Sequence, residues 1–139
     1  MGISEEELLT AIHKSERPYI LVNFFATWCK PCKREIPDLV ALENDAEAGI
    51  KVLLVSIDEE KDAKAQLRDF LTELGVNFTT YARTQGEAAF IKRFYPAWDG
   101  RIPLTLLYDQ EGNQLEAIRG LTERDEIELI INKHKMLGS

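Results

Sequence analysis

The chain has 139 residues, with 17 Lys and Arg against 24 Asp and Glu, which gives a formal net charge of −7. This length fits one domain over residues 1–139 with a core of its own, and a hydrophobic fraction of 45% excludes a disordered chain. The acidic balance argues against a nucleic-acid partner, and because no apolar run reaches about 18 residues we expect no membrane insertion of this chain.

The first half of the chain alternates between helical and strand patterns. Ser4 followed by Glu7 forms a capping box, which predicts that a helix begins there. The run YILVNFF is nearly continuous in apolar and β-favouring residues, as in a strand buried on both faces. The predicted elements of this half are a helix to about residue 14, a strand at Tyr19–Phe25, a helix at 30–48 and a strand at 52–57.

The second half continues the alternation and ends in a hairpin. Apolar residues recur at helical spacing over 63–74, and Gly75 is a typical end for that helix. A glycine-containing turn at 109–113 predicts an antiparallel hairpin, and Thr122 with Asp125 is expected to cap the last helix. The apolar stripe of that helix comprises Ile127, Ile130, Ile131 and Leu137. The remaining predicted elements are a strand at 76–81, a helix at 86–94 and hairpin strands at 103–108 and Gln114–Arg119.

Strands that alternate with helices indicate an α/β fold with a mixed, mainly parallel central sheet flanked by helices. The predicted order is α-β-α-β-α-β-α-β-β-α, closed by the antiparallel hairpin. The two cysteines of the chain, Cys29 and Cys32, closely follow the first strand, where open α/β sheets place their chemistry. Two cysteines exclude a disulfide framework and leave a redox pair or half of a metal site.

The sequence Trp28-Cys29-Lys30-Pro31-Cys32 places a thiol pair at a strand-to-helix junction. The thiolate is the reactive form of cysteine, and the N–H groups and positive dipole of a helix start both favour the anion at Cys29. Lys30 adds a positive charge, and Pro31 suits a first helical turn because it has no N–H to lose. Cys32 lies one turn on, within reach of a mixed disulfide on Cys29. We therefore predict Cys29 as the nucleophile and Cys32 as the resolving thiol.

A metal site and a purely structural disulfide are the competing explanations of the pair. Zinc prefers four ligands, and the two histidines, His13 and His134, lack ligand spacing to the cysteines. A disulfide that closes so short a loop gains little stabilisation from chain entropy. We expect no metal and no organic cofactor.

The stretch VNFFATWCKPC, residues 22–32, resembles the active-site segment of the thioredoxin superfamily, and its TlpA/ResA-like thiol-disulfide oxidoreductases in particular. Residues 33–37, Arg101-Ile102-Pro103 and Arg119-Gly120 extend the resemblance over most of the chain. The resemblance implies a thioredoxin fold in which residues 59–81 contribute an inserted helix and strand. It also implies a cis peptide bond before Pro103, beside the cysteines.

The resemblance further assigns a carboxylate. TlpA/ResA-like proteins carry a Glu three residues after the second cysteine, which is Glu35, and an Asn where thioredoxins themselves have a buried Asp, which is Asn23. Glu35 is therefore a candidate base for Cys32, with an exposed carboxylate on the helix surface as the alternative. Asn23 is expected to hydrogen-bond locally. Leu104 departs from the Thr or Ser usual after the cis proline, and the N-terminus lacks the β-hairpin common in that branch and starts with a helix.

Further expectations concern the surroundings of the pair. The residues predicted to contact the substrate are Trp28, Lys30, Pro31, Ile102 and Pro103. Trp98 is expected to be exposed, with Tyr95 packed in the core; the alternative is an aromatic patch on the rim of the site. The charge run at 58–64 is expected to be a solvated helix start, with its acids at the end that the dipole favours.

The motif predicts dithiol exchange, and the resemblance favours an enzyme that reduces protein disulfides and is re-reduced by an upstream thiol donor; we expect a monomer. Lys30 argues for the opposite direction, since stabilising the thiolate makes a pair more oxidising, so a disulfide oxidant of the same fold is an alternative. A peroxidase of the same fold is disfavoured by the nearby resolving cysteine. A non-catalytic thioredoxin-like binding module with a redox-sensitive pair is the rival from outside the enzymes.

The first seven residues carry three acidic side chains and neither the basic nor the apolar segment of a signal peptide. We expect a bacterial periplasmic or otherwise extracytoplasmic protein whose leader is absent, with the cytoplasm as the alternative.

Overall fold

In the computed structural model, which describes residues 2–3, 5–58, 60–83 and 87–138, the apolar run at Tyr19–Phe25 forms a central strand of a six-stranded sheet. The strands are β1 (Gly2–Ile3), β2 (Tyr19–Phe25), β3 (Ile50–Ser56), β4 (Thr80–Arg83), β5 (Leu104–Asp109) and β6 (Gln114–Arg119). The helices are α1 (Glu5–His13), α2 (Lys30–Asn44), α3 (Glu60–Glu73), α4 (Glu87–Phe94) and α5 (Arg124–Gly138).

The sheet has the order β1-β4-β3-β2-β5-β6. The pairs β1–β4, β4–β3 and β3–β2 are parallel, and the pairs β2–β5 and β5–β6 are antiparallel. The expected mixed, mainly parallel sheet of a thioredoxin fold is therefore confirmed. The inserted segment supplies α3 and β4.

Successive residues of β2 point to opposite faces of the sheet and define its two layers. Phe24 packs edge-on against Phe90 of α4, with ring centroids 6.2 Å apart. Phe25 stacks on Phe70 of α3 at 5.7 Å. Because helices cover both faces, the central strands are buried on both sides, which explains why their sequences lack a polar alternation.

Two predicted boundaries move for reasons of local hydrogen bonding. Helix α2 ends at Asn44 rather than at residue 48, because the N–H of Asp45 turns back to the carbonyl of Leu42. Strand β4 begins at Thr80 rather than at residue 76, because the Val76 N–H donates to the Leu71 carbonyl at 3.0 Å and thereby caps α3. Gly75, with φ +77°, makes that cap possible.

The N-terminus differs from the prediction that the chain starts with a helix. The two-residue strand β1 precedes α1 and pairs with β4, Gly2 opposite Ala82 and Ile3 opposite Arg83. Two residues are too few to give a periodic signal, so the sequence pattern could not reveal this strand. Ser4, the first residue of the predicted capping box, lies outside the described residues.

Helix α5 also departs from the prediction at both ends. It begins at Arg124, whose N–H donates to the carboxylate of Asp38 on α2 at 3.0 Å, so Asp38 supplies the acceptor expected from Thr122. At the other end Leu137 is 73% exposed, so the prediction that Leu137 belongs to the apolar stripe of this helix was wrong. At 100° per residue Leu137 lies about 80° from Ile127, at the edge of the face that packs on the sheet.

Within the described ranges, no helix has the length and apolar composition to cross a membrane.

Candidate active site

The two cysteines meet at the start of α2. Cys29 is the N-cap residue, and Cys29 and Cys32 form a disulfide whose Cα atoms are 5.3 Å apart. Cys29 is 5% exposed and Cys32 is fully buried, so the outer sulfur is the one that a partner reaches first. The neighbouring Trp28 is 68% exposed, as expected for a side chain at the rim of the site.

The helix start provides electrostatic support for a negative sulfur. The N–H of Cys32 donates to Cys29 Sγ at 3.2 Å, and Pro31 occupies the first turn of the helix. That turn contains no acidic residue, and Lys30 is exposed beside the pair. A Cys29 thiolate would therefore keep a hydrogen bond that the cap geometry already provides.

The Ile102–Pro103 peptide bond is cis, as the resemblance implies. The carbonyl oxygen of Ile102 lies 3.8 Å from Cys29 Sγ, so this loop lies directly beside the disulfide. The carbonyl of Pro103 accepts a 2.9 Å hydrogen bond from the N–H of Gly120, which follows β6. The loop at Ile102–Pro103 therefore lies between the cysteines and the end of β6, and its position beside Cys29 is the one that the resemblance implies.

Glu35 is buried, with 1% of its surface exposed, and the alternative of an exposed helix-surface carboxylate was wrong. Its Oε1 accepts hydrogen bonds from Asn23 Nδ2 and Thr105 Oγ1, both at 3.0 Å. Its Oε2 accepts the N–H of Thr122 at 3.1 Å. The carboxylate thus lies inside the layer between α2 and the sheet, one turn of helix beyond Cys32.

Desolvation dominates the protonation of this carboxylate. Burial raises the pKa of Glu35 from 4.5 to about 7, although the hydrogen bonds from Thr122 and Thr105 lower it. The nearby charge of Asp38 raises it further. A carboxyl group with a pKa near neutrality can both accept and return a proton under physiological conditions.

Asn23 bonds across elements and not locally, contrary to the sequence expectation. Its Nδ2 donates to Glu35 and, at 2.9 Å, to Thr105, which lies directly opposite on β5. The departure at Leu104 is also explained, because Leu104 is buried in the apolar core and Thr105 supplies the hydroxyl one residue later. Asn23 Oδ1 is buried without a hydrogen-bond partner among the described residues.

Trp98 is buried, with 8% exposure, so the expectation of an exposed Trp98 was wrong. Its indole N–H donates to the carbonyl of Arg101 at 2.8 Å, which braces the loop that leads to Pro103. Tyr95 is partly buried against the core. The buried indole of Trp98 therefore adds no aromatic patch to the surface, whereas Trp28, next to Cys29 in the chain, is exposed.

The structure also places residues here that the sequence analysis missed. Thr105 and Thr122 contact Glu35, and Asp58 is buried and bonded to Thr27, although the charge run at 58–64 was expected to be solvated. The available signal for Asp58 was its position two residues after a buried strand, at the sheet edge where α/β proteins build their sites. Among the described residues, no group of three or more potential metal ligands occurs.

A disulfide-forming cysteine pair at a helix start, beside a cis proline and on this sheet, is the arrangement of the thioredoxin superfamily. The family model described as AhpC/TSA matches residues 9–129, and the chain belongs to that family.

Several proteins with similar sequences or structures are named as thiol-disulfide exchange proteins. The chain is 28% identical over 117 residues to the thiol-disulfide oxidoreductase ResA of Bacillus thuringiensis subsp. konkukian, covering 82% of this chain and 62% of that protein. It is 33% identical over 108 residues to the thiol:disulfide interchange protein HelX of Rhodobacter capsulatus, covering 77% and 55%. A crystal structure of a thiol:disulfide interchange protein from Chlorobium tepidum TLS superposes with a TM-score of 0.67 at 27% identity, covering 84% and 79%.

The chain spans about three fifths of the length of the curated relatives that it matches. These similarities confirm the resemblance to ResA-like proteins that residues 22–32 indicate.

Proposed function

We propose that this protein is a thiol-disulfide oxidoreductase that reduces disulfides in protein substrates through Cys29 and Cys32. The observation that carries the proposal is the position of Cys29: it caps α2, receives the Cys32 N–H, and lies 3.8 Å from the Ile102 carbonyl. A nucleophilic sulfur needs this anion-stabilising environment, and a structural disulfide does not.

The reaction transfers two electrons in two exchanges. The Cys29 thiolate attacks one sulfur of the substrate disulfide, forms a mixed disulfide and releases the first substrate thiolate. Cys32 then loses its proton and attacks Cys29 Sγ, which releases the second substrate thiolate and leaves the Cys29–Cys32 disulfide. An upstream dithiol donor returns the two electrons and restores the reduced pair.

Glu35 is proposed as the base in the second exchange. Cys32 is fully buried, so bulk water has poor access to its proton, and Glu35 follows one turn later on the same helix. With a pKa of about 7, the carboxylate is available to accept the proton at neutral pH. The hydrogen bonds from Asn23 and Thr105 fix its orientation.

The substrate is proposed to bind across the exposed edge of the disulfide. Trp28 offers an apolar surface there, and Lys30 and Pro31 lie between the two cysteines. Ile102 and Pro103 border Cys29 on the other side, so an extended substrate segment can lie along their backbone.

The direction of electron flow is proposed to be reductive. Lys30 stabilises a thiolate and thereby favours the reduced pair. The buried Glu35 carboxylate has the opposite effect, because it disfavours a second negative charge on the nearby sulfur of Cys32. A reduction potential close to that of strong disulfide oxidants would overturn this direction and leave the exchange chemistry intact.

A trapping experiment tests the proposed function. Cys32→Ser leaves the mixed disulfide on Cys29 unresolved, so we expect covalent adducts with host proteins that a reductant releases. Cys29→Ser is the matched control and should form none. Absence of adducts on Cys32→Ser, or turnover of hydrogen peroxide in place of disulfides by the wild type, would contradict the proposal.

The setting of the protein is part of the same proposal. It acts as a one-domain monomer in an extracytoplasmic compartment, where protein disulfides are abundant substrates. Fractionation of the native host and size-exclusion chromatography of the purified chain test these points. Recovery in the cytoplasm, or a stable dimer, would overturn the corresponding point.

A further inference from the structure

Asp58 is a buried carboxylate that the mechanism above does not use. It lies two residues past β3, and only 6% of its surface is exposed. It accepts the backbone N–H of Thr27 at 3.1 and 3.2 Å to its two oxygens, and the Thr27 hydroxyl at 2.7 Å. It also accepts the Ser56 hydroxyl at 2.6 Å. All of these partners donate, so the carboxylate is held as an acceptor.

These contacts clamp the turn that carries the nucleophile. Thr27 precedes Trp28 and lies two residues before Cys29, whose own N–H donates to the Ala26 carbonyl at 3.1 Å. Thr27 is held through both its backbone and its side chain by a residue that follows β3, the strand next to β2. The carboxylate therefore places a negative charge against the segment that leads into the helix start.

We propose that Asp58 is a positioning residue for the redox pair, which fixes the Thr27–Trp28 turn and electrostatically favours the disulfide over the reduced pair. This proposal rests on the proposed function, because it explains how the reduced pair is made a stronger reductant. A negative charge near the helix start opposes a thiolate at Cys29 and offsets the effect of Lys30. The reduced pair then gives up its two electrons more readily.

The first test is the redox equilibrium of the whole chain with glutathione. In this equilibrium the protein disulfide and two molecules of reduced glutathione are converted into the protein dithiol and one molecule of oxidised glutathione. Asp58→Asn keeps an oxygen acceptor for Thr27 and removes the charge. We expect the equilibrium to shift toward the dithiol by roughly three- to tenfold, or about 15–30 mV. Glu111→Gln removes the same charge from an exposed turn at the other end of β5 and should leave the equilibrium unchanged.

Thr27→Val separates charge from mechanical support. It removes one hydroxyl donor and leaves the Asp58 charge less compensated, so the equilibrium should move toward the disulfide, opposite to Asp58→Asn. A purely structural clamp would move both variants in the same direction. The same direction for both variants, or an Asp58→Asn value equal to that of Glu111→Gln, overturns the proposal.

The pH midpoint of Cys29 alkylation gives an independent readout. It should fall in Asp58→Asn and rise in Thr27→Val, and both variants leave the charged side chains of Lys30 and Glu35 unchanged. If Asp58→Asn does not fold, Thr27→Val decides: an unchanged or lowered midpoint overturns the proposal. Failure of the proposed function can be distinguished from failure of this proposal. It would appear as the absence of mixed disulfides in the trapping experiment, whatever the value of the redox equilibrium.

Discussion

Asn23 and Glu35 share a 3.0 Å hydrogen bond between the central strand and the active-site helix, with the asparagine as donor. By resemblance, thioredoxins themselves carry a carboxyl group at the position of Asn23. In this chain the strand contributes the amide and the helix contributes the carboxylate, which brings the acid one turn away from Cys32. The site therefore keeps one buried carboxyl group, but the helix supplies it here, whereas the strand supplies it in thioredoxins themselves.

Replacing Glu35 by Gln should slow the resolving step and flatten its pH dependence. The wild-type rate should fall below pH 7, because the pKa of Glu35 is about 7 and the protonated group cannot accept the Cys32 proton. At pH 7.5 we expect a loss of roughly 100-fold in Glu35→Gln, the lower end of general-base effects. Stopped-flow decay of a preformed mixed disulfide measures this step.

Glu47→Gln, an exposed carboxylate in the connection between α2 and β3, is the matched control and should keep the wild-type profile. A Glu35→Gln profile that superposes on that of the control would remove Glu35 from the mechanism.

Glu35 should also make the stability of the fold depend on pH. Its pKa is raised from 4.5 to about 7, so the folded protein binds the proton more tightly than the unfolded chain does. The resulting stabilisation is complete below about pH 4.5 and is lost as the pH rises through 7. Relative to Glu35→Gln, the wild type should lose about 3 kcal/mol of unfolding free energy between pH 4.5 and pH 8. Urea denaturation across that range measures the difference, and a constant difference would refute the shift.

Gly112→Ala should destabilise the fold without affecting the disulfide. Gly112 has φ +86° in the β5–β6 turn, and a Cβ placed there would collide with the imidazole of His13 on α1. Gly75→Ala is a matched control, because Gly75 has φ +77° but open space around its Cβ position. We expect Gly75→Ala to cost about 1 kcal/mol from the backbone alone and Gly112→Ala clearly more. Equal losses in thermal unfolding would show that His13 moves aside at no cost.

Trp28→Ala should impair the use of protein substrates selectively. The side chain is 68% exposed, so its removal should change the unfolding free energy by less than about 0.5 kcal/mol. We expect KM for a protein disulfide to rise roughly three- to tenfold, a loss of about 1 kcal/mol, while a small disulfide such as oxidised glutathione is reduced at the wild-type rate. Equal effects on both substrates would indicate that Trp28 acts on the cysteines themselves.

The sequence predicts those features of the fold and site that depend on neighbouring residues. The strand at Tyr19–Phe25, the hairpin strand at Gln114–Arg119 and the cysteine pair at a helix start all follow from local patterns. The cis bond before Pro103 follows from family resemblance.

The partners of Glu35 could not be predicted in the same way. Thr105 and Thr122 are 70 and 87 positions further along the chain, and only the completed sheet brings them to this carboxylate. Burial of Trp98 and of Asp58 likewise depends on backbone groups of other segments, which no periodicity encodes. The sequence predicts the cysteine pair, and the folded chain determines how its surroundings are charged and hydrogen-bonded.

The central claim is that Cys29 attacks and Cys32 resolves, and mass spectrometry of a single turnover tests it most directly. Reduced protein mixed with one equivalent of a peptide disulfide should yield two peptide thiols and an intramolecular Cys29–Cys32 disulfide. Cys32→Ser should stop at one thiol and one peptide bound to Cys29. Release of no thiol from the wild type, or a peptide bound to Cys32 in the Cys29→Ser variant at the rate seen on Cys29, would contradict the account.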